Sequence, residues 1–280
     1  MARRLDTQDH RRELDANRYV YAVVSRRARG LSIGVNLNPD KVCNFDCPYC
    51  QVDRSTPGGP RTIDLDRLDG ELRGLLRLVG DGRLWTVPPF DTAAPALRRV
   101  ADIAFAGDGE PTSPRSFPAA AARCARARDE LAPGVPLRLL TNATLLHRPA
   151  VAEALACFDE VWAKLDAGTE GYFRVVDGTT LPFARILANL RDTARRRPLV
   201  IQSMFLTLDG VGPTDAEADA WAARLGEVLA AGGVIDRVQV YTVARRPAQP
   251  SVGPLDAARL DTIAARARAL GLTVEVHGPT

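Results

Sequence analysis

The sequence predicts an α/β fold, a partial (β/α)6 TIM-like barrel. Three observations carry this reading. Short apolar runs of strand length alternate with segments whose apolar residues recur at helical spacing. The connections are short, as parallel strands covered by helices require. Glycine-rich and polar stretches follow several strands at their C-terminal ends, where α/β folds place their chemistry. At 280 residues, with ordinary apolar content, the chain can bury a full core.

Taken in order, residues 1–30 form an N-terminal extension, polar at first and apolar over Tyr19, Val20, Tyr21, Ala22, Val23 and Val24. They read as a short helix or arm followed by an edge strand or buried segment. Residues 31–280 form the barrel, with a first strand over 31–37 and a loop over 38–60 that ends in the breaker Pro57-Gly58-Gly59-Pro60. Leu65, Leu68, Leu72, Leu75, Leu76 and Val79 mark the first helix. Residues 80–95 are an irregular insertion. Strands follow over 100–105, 137–141, 161–165, 199–206, 238–243 and 273–276. Helices lie over 117–131, 149–157, 182–197, 215–231 and 255–270. There is no internal repeat, low-complexity tract or evident linker.

The net charge of +3 is small, and Lys41 and Lys164 are the only lysines, so nearly all positive charge is arginine. Arginine clusters at residues 3–4, 11–12, 26–29 and 195–197 can touch RNA phosphates, but solvated surface charge is the simpler reading. No run approaches the roughly 18 apolar residues of a membrane span. Residues 1–15 lack the apolar core of a signal peptide. A cytoplasmic, reducing location is the expectation, and no membrane partner.

The chemistry centres on Cys43-Asn44-Phe45-Asp46-Cys47-Pro48-Tyr49-Cys50, which holds three of the five cysteines spaced C-x3-C-x2-C on a loop leaving the first barrel strand. Three thiolates there can hold three irons of a 4Fe–4S cluster, leaving the fourth iron for a substrate or cofactor. A structural zinc site normally needs four protein ligands. No His lies between His10 and His147, and Cys124 and Cys157 sit alone in helix-like segments, where packing is their expected role. An odd cysteine count without a secretory signal argues against a disulfide.

Four later segments carry further candidates. In Phe105-Ala106-Gly107-Asp108-Gly109-Glu110-Pro111-Thr112 the glycines let a ligand approach the backbone and Glu110 supplies an acceptor. Thr141 and Asn142 can hydrogen-bond a ribose or carboxylate, or simply form a turn. Strand alternation puts Lys164 and Asp166 on one face, facing a ligand or forming a buried ion pair; a Schiff base on Lys164 is the weaker alternative. Gln202 and Ser203, and then Tyr241 to Val243, line the next strands. Arg245 beyond them suits an anionic substrate or, equally, is a surface arginine beside Arg246. Lys41, before the cysteine loop, can serve as a substrate-binding amine, although a lone loop lysine usually faces solvent.

The C-x3-C-x-aromatic-C pattern resembles the signature of the radical S-adenosylmethionine (radical SAM) superfamily. The segments CNFDCPYC, FAGDGEPT, LLTNATLL, WAKLDAG and VQVYTVARRP together resemble the Fe–S oxidoreductase group related to the tRNA wyosine-base synthases, over about residues 31–245. The resemblance implies that Cys43, Cys47 and Cys50 ligate one 4Fe–4S cluster whose open iron is chelated by SAM. One electron then cleaves SAM to methionine and a 5′-deoxyadenosyl radical, which takes hydrogen from substrate. It further implies SAM contacts from Tyr49 near the adenine, Gly107, Gly109 and Glu110 on the amino group, and Asn142, Lys164, Asp166, Gln202 and Tyr241 around the carboxylate, ribose and adenine. Asp108 stands where the family's paired glycines place a second glycine. A low-potential donor, flavodoxin or ferredoxin, is the implied partner. The wyosine-base synthases modify guanosine 37 of tRNA with pyruvate and carry a second cluster on additional cysteines. Residues 1–42 hold no cysteine, which sets tRNA behind a small-molecule or nucleoside substrate. An activase acting on a glycyl-radical partner protein, and a non-catalytic metal-binding protein, are the other readings.

Overall fold

The computed structural model describes residues 17–25, 30–244 and 249–279. The arm expected at the start of the chain and Arg245 lie outside the described residues. The chain divides into two compact units, each assembled from separated segments. The first comprises Met1–Val42, Pro57–Leu140 and Glu153–Glu160, and the second Cys43–Thr56, Thr141–Ala152 and Val161–Thr280.

In the first unit, β1 (Val20–Ser25) pairs antiparallel with β2 (Gly30–Val35). β2, β3 (Val100–Phe105) and β4 (Leu137–Thr141) then run parallel in that order. Every residue of β2 is buried, which accounts for its continuous apolar character, since a strand covered on both faces need not alternate. Helix α1 (Leu65–Gly80) starts where the Asp64 side chain accepts from the backbone N–H groups of Asp66 and Arg67. It buries Leu68, Leu72, Leu75 and Leu76, the stripe expected from their spacing. Helix α2 (Phe117–Leu131) buries Phe117, Ala120, Ala121, Cys124 and Ala127. Phe105, Phe117 and Phe158 pack ring on ring, with centroids 5.0, 5.9 and 6.2 Å apart. The insertion at 80–95 is built from short 3₁₀ turns that bury Leu84 and Phe90.

Helix α3 (Pro149–Ala154) ends in a 3₁₀ turn over Leu155–Cys157. In the second unit, β5 (Glu160–Lys164), β6 (Leu199–Met204), β8 (Ile235–Tyr241) and β10 (Val274–His277) run parallel in that order. Helices α5 (Phe183–Ala194), α6 (Asp215–Ala230) and α7 (Ala257–Arg268) connect them. Register fixes which side chains share a face. Lys164 lies opposite Gln202, Gln202 opposite Gln239, and Gln239 opposite Glu275. Side-chain hydrogen bonds of 2.8 Å (Gln202 to Gln239) and 2.9 Å (Gln239 to Glu275) join the last three. Trp221 of α6 is fully buried and donates through Nε1 to Ser203 Oγ (2.9 Å) and the Leu165 carbonyl (3.2 Å), which holds the chain leaving β5.

Two features differ from the sequence expectation. A helix, α4 (Glu170–Val176), occupies a stretch without an expected element; the Thr169 side chain caps it by accepting from Tyr172 N–H, and Glu217 accepts from Gly168 N–H and the Thr169 hydroxyl. The strand expected over 199–206 ends at Met204, whose pairing with Tyr241 is closed by the Phe205 N–H on the Tyr241 carbonyl (2.8 Å). Leu206–Leu208 (β7) instead pairs antiparallel with Val252–Pro254 (β9). Among the described residues no helix is long and apolar enough to cross a membrane.

Leu72 is fully buried on α1. Leu72→Ala is expected to destabilise the metal-free protein by about 2–5 kcal/mol in urea denaturation, by loss of transfer energy plus a residual cavity.

Candidate functional site

The cysteine loop is held by backbone and amide groups of its own unit. Asp46 N–H donates to the carbonyls of Asp177 (3.3 Å) and Gly178 (3.2 Å). Gly178 has φ of +57°, and a Cβ there would lie 2.0 Å from the Asp46 carbonyl oxygen, so both its backbone conformation and this approach call for glycine. On the other side, Asn44 Nδ2 donates to Thr144 Oγ1 and Asn142 Nδ2 donates to Asn44 Oδ1, each at 2.7 Å. The turn supplying these groups is fixed in turn by Asn189, whose Nδ2 donates to the carbonyls of Ala143 (2.8 Å) and Thr144 (3.1 Å). Ala143 sits in the left-handed region at φ of +63°. Phe45 is buried edge-on against Phe173 at 5.6 Å, and Phe173 stacks on Phe183.

So clamped, the loop presents its thiols one by one. Cys43, Cys47 and Cys50 are each partly exposed. Arg54 Nη1 donates to Cys50 Sγ at 3.2 Å. Cys47 Sγ meets Lys164 Nζ at 3.1 Å and lies 3.8 Å from Asp177 Oδ1. Burial pushes the Cys47 thiol up to about 12, with the Lys164 ammonium opposing that rise. Lys164 also meets Asp177 Oδ1 at 2.9 Å and Asp166 Oδ2 at 3.2 Å. Burial alone would lower the Lys164 pKa, but Asp177, Cys47 and Asp166 together hold it well above the usual lysine range. Burial raises Asp177 to about 7, against the pull of Lys164. Asp166 accepts from Met204 N–H (2.8 Å) through Oδ1 and from the Tyr49 hydroxyl through Oδ2. The Tyr49 phenol, desolvated and next to Asp166, is held well above its usual range. Lys164 Nζ stands 4.6 Å from the Tyr49 ring centroid.

The glycine-rich segment after β3 is organised within the first unit. Asn36 Nδ2 donates to Asp108 Oδ2 (2.7 Å), and Asn36 Oδ1 accepts from Asp108 N–H (3.1 Å) and Asn38 N–H (3.0 Å). A Cβ on Gly109 would lie 2.2 Å from the Val42 carbonyl oxygen, one residue before Cys43. Glu110 is buried, and its Oε1 accepts from Thr112 N–H (3.1 Å) and Thr112 Oγ1 (2.5 Å).

Of the residues singled out from the sequence, the structure brings Tyr49, Lys164 and Asp166 together with Cys47. Asn142 it places on Asn44, inside the cysteine loop. Gln202 is buried in register with Lys164 and bonded to Gln239, and Tyr241 lies opposite Met204 one pleat further along. Gly107, Gly109 and Glu110 belong to the first unit. Lys41 is half-buried at φ of +60°, its N–H on the Asn38 carbonyl. Cys124 is fully buried, and burial raises its pKa. Sequence reasoning missed Asp177, Asn44 and Asn189. For Asp177 the signal was present: the helix start Thr169-Glu170 and the turn pair Asp177-Gly178 bracket α4.

The family model of the Radical SAM superfamily matches residues 37–220. A UPF0026 protein of Helicobacter pylori is 25% identical over 233 residues, 81% of this chain and 66% of that protein. A radical SAM methyltransferase from Sphaerobacter thermophilus superimposes over 95% of this chain and 71% of its own, with TM-score 0.64 and 17% identity. A structure of TYW1 with a lysine–pyruvate adduct bound gives TM-score 0.53 and 14% identity over 86% of this chain and 74% of its own. These likenesses establish the expected α/β fold as that of the radical SAM type. The chain spans 31–66% of the length of the curated relatives it matches.

In the metal-free protein, iodoacetamide at neutral pH is expected to label Cys47 slowly, since burial pushes its thiol up to about 12 and alkylation follows the thiolate fraction. Gly178→Ala should loosen the loop and speed Cys47 labelling several-fold, read by peptide mass spectrometry. Labelling of Cys47 in the unsubstituted protein as fast as that of a free cysteine would contradict this account of the loop.

Proposed function

The chain belongs to the Radical SAM superfamily, and on that premise we propose that it carries one 4Fe–4S cluster on Cys43, Cys47 and Cys50 and abstracts hydrogen from a small-molecule or nucleoside substrate. Enzymes of this superfamily use a 4Fe–4S cluster and SAM. The observation that carries the ligand assignment is the manner in which the thiols are offered. The three cysteines lie on one clamped loop in the spacing C-x3-C-x2-C, which suits a cluster that takes one thiolate per iron. Cys43, Cys47 and Cys50, all partly exposed, provide soft donors of the right kind.

When bound, the cluster and SAM supply one-electron reductive cleavage of SAM and thereby the start of hydrogen abstraction. The chain's own residues do the rest. Asn44, Asn142, Thr144, Asp177 and Gly178 hold the loop in place. In this reading Tyr49, Asp166, Gln202 and Tyr241 of the second unit bind and orient SAM. Lys164 keeps a positive charge beside Cys47. Asp166 is buried, so its carboxylate acts at low local dielectric. Free thiols and an oxygen-sensitive cluster suit a reducing, cytoplasmic location and a low-potential donor such as flavodoxin or ferredoxin.

Anaerobic reconstitution with iron and sulfide, followed by reduction in the presence of SAM, tests this. About four irons per chain and formation of 5′-deoxyadenosine are expected. Cys47→Ala should lose both, whereas Cys124→Ala should retain both. Bound zinc without 5′-deoxyadenosine would overturn the assignment. About eight irons would mean a second cluster and favour a reaction of the wyosine type.

A further inference from the structure

Lys164 is one of two lysines in the chain, and the one on a barrel strand. Its ammonium group has three N–H donors, and the structure offers it three acceptors: Cys47 Sγ at 3.1 Å, Asp177 Oδ1 at 2.9 Å and Asp166 Oδ2 at 3.2 Å. The aromatic faces of Tyr49 at 4.6 Å and Phe45 at 5.5 Å enclose it further. Both carboxylates are themselves fixed. Asp166 is held by Met204 N–H and the Tyr49 hydroxyl, and Asp177 belongs to the segment whose carbonyl receives Asp46 N–H from the cysteine loop. The ammonium is thus aimed at the sulfur from two anchored sides, and each of its donors is engaged by the chain itself.

We propose that Lys164 is a positioning residue for Cys47, donating a charge-assisted hydrogen bond to its sulfur and setting the reduction potential of the cluster, and is not the group that receives the SAM carboxylate. The proposal rests on the reading that Cys47 is a cluster ligand. Hydrogen bonds to ligand sulfur and nearby net charge are among the protein's levers on an iron–sulfur potential. A fixed positive charge beside the sulfur favours the reduced cluster, which carries one more electron. Asp177 and Asp166 oppose it. The signs follow: loss of the Lys164 charge should make the potential more negative, and loss of the Asp177 charge should make it more positive. A change in packing alone gives no reason for opposite shifts from two residues in contact.

The experiment is an EPR-monitored redox titration of anaerobically reconstituted wild type, Lys164→Met, Lys164→Arg and Asp177→Asn, without SAM. Iron per chain is measured alongside, and SAM affinity separately by calorimetry. The expected result is unchanged iron in all four proteins, a negative shift for Lys164→Met, a smaller shift for Lys164→Arg and a positive shift for Asp177→Asn. If Lys164→Met loses iron, Asp177→Asn decides: a positive shift supports the proposal, and an unchanged potential overturns it. An unchanged potential in iron-replete Lys164→Met also overturns it, and weakened SAM binding in that variant would return Lys164 to the SAM carboxylate. Wild type that takes up no iron defeats the cluster reading and this proposal together, and so is distinguished from failure of the proposal alone.

Discussion

The site depends on one backbone contact, the N–H of Asp46 shared between the carbonyls of Asp177 and Gly178. It ties the cysteine loop to the turn after α4 through main-chain groups. The approach is close enough to exclude a Cβ at residue 178, and the left-handed backbone there calls for glycine independently. Because Asp177 precedes that glycine, the same contact brings a carboxylate to within hydrogen-bonding distance of Lys164 and close to the Cys47 sulfur. A backbone requirement and an electrostatic one are therefore met by a single dipeptide.

The charges around Cys47 satisfy one another. A buried ion is tolerated when it is paired and its remaining valences are hydrogen-bonded. Lys164 has an acceptor for each donor, and both oxygens of Asp166 have donors. The two partners divide differently: burial raises Asp177 against the pull of Lys164, while Lys164 is held charged by several anions at once. The pleat makes this possible. Lys164 falls on one face of β5, while Val161 and Ala163 turn to the other and are buried there. Continued through register, Lys164's row contains Gln202, Gln239 and Glu275, so that face carries polar groups from β5 across to β10.

Much of this was legible in the sequence because it is local. Strand runs, the leucine stripe of α1 and the cysteine spacing are patterns within a few residues, and apart from the strand expected over 199–206 they mark elements that the structure contains. The shared face of Lys164 and Asp166 follows from a period of two. What was not legible is pairing at a distance. Asn142 was recognisable as a polar residue at a strand end, but its partner is Asn44, 98 residues earlier. Asp177 lies 13 residues beyond Lys164 and 130 beyond Cys47, and nothing in a one-dimensional pattern brings the three together. Helix α4 escaped notice because seven residues give too few turns for a periodic signal, and its stability comes from Glu217 and Thr169 at its start more than from propensity.

The glycine-rich segment shows the same division between motif and support. Its glycines read from the sequence as openings for a ligand. At Gly109, however, the space a side chain would need is filled by the chain itself, by the Val42 carbonyl and the Asn38 side chain. Gly107 likewise abuts Asn36. The absence of side chains there also lets two segments of the first unit approach closely. Asn36 and Asn38 then stitch those segments with amide hydrogen bonds.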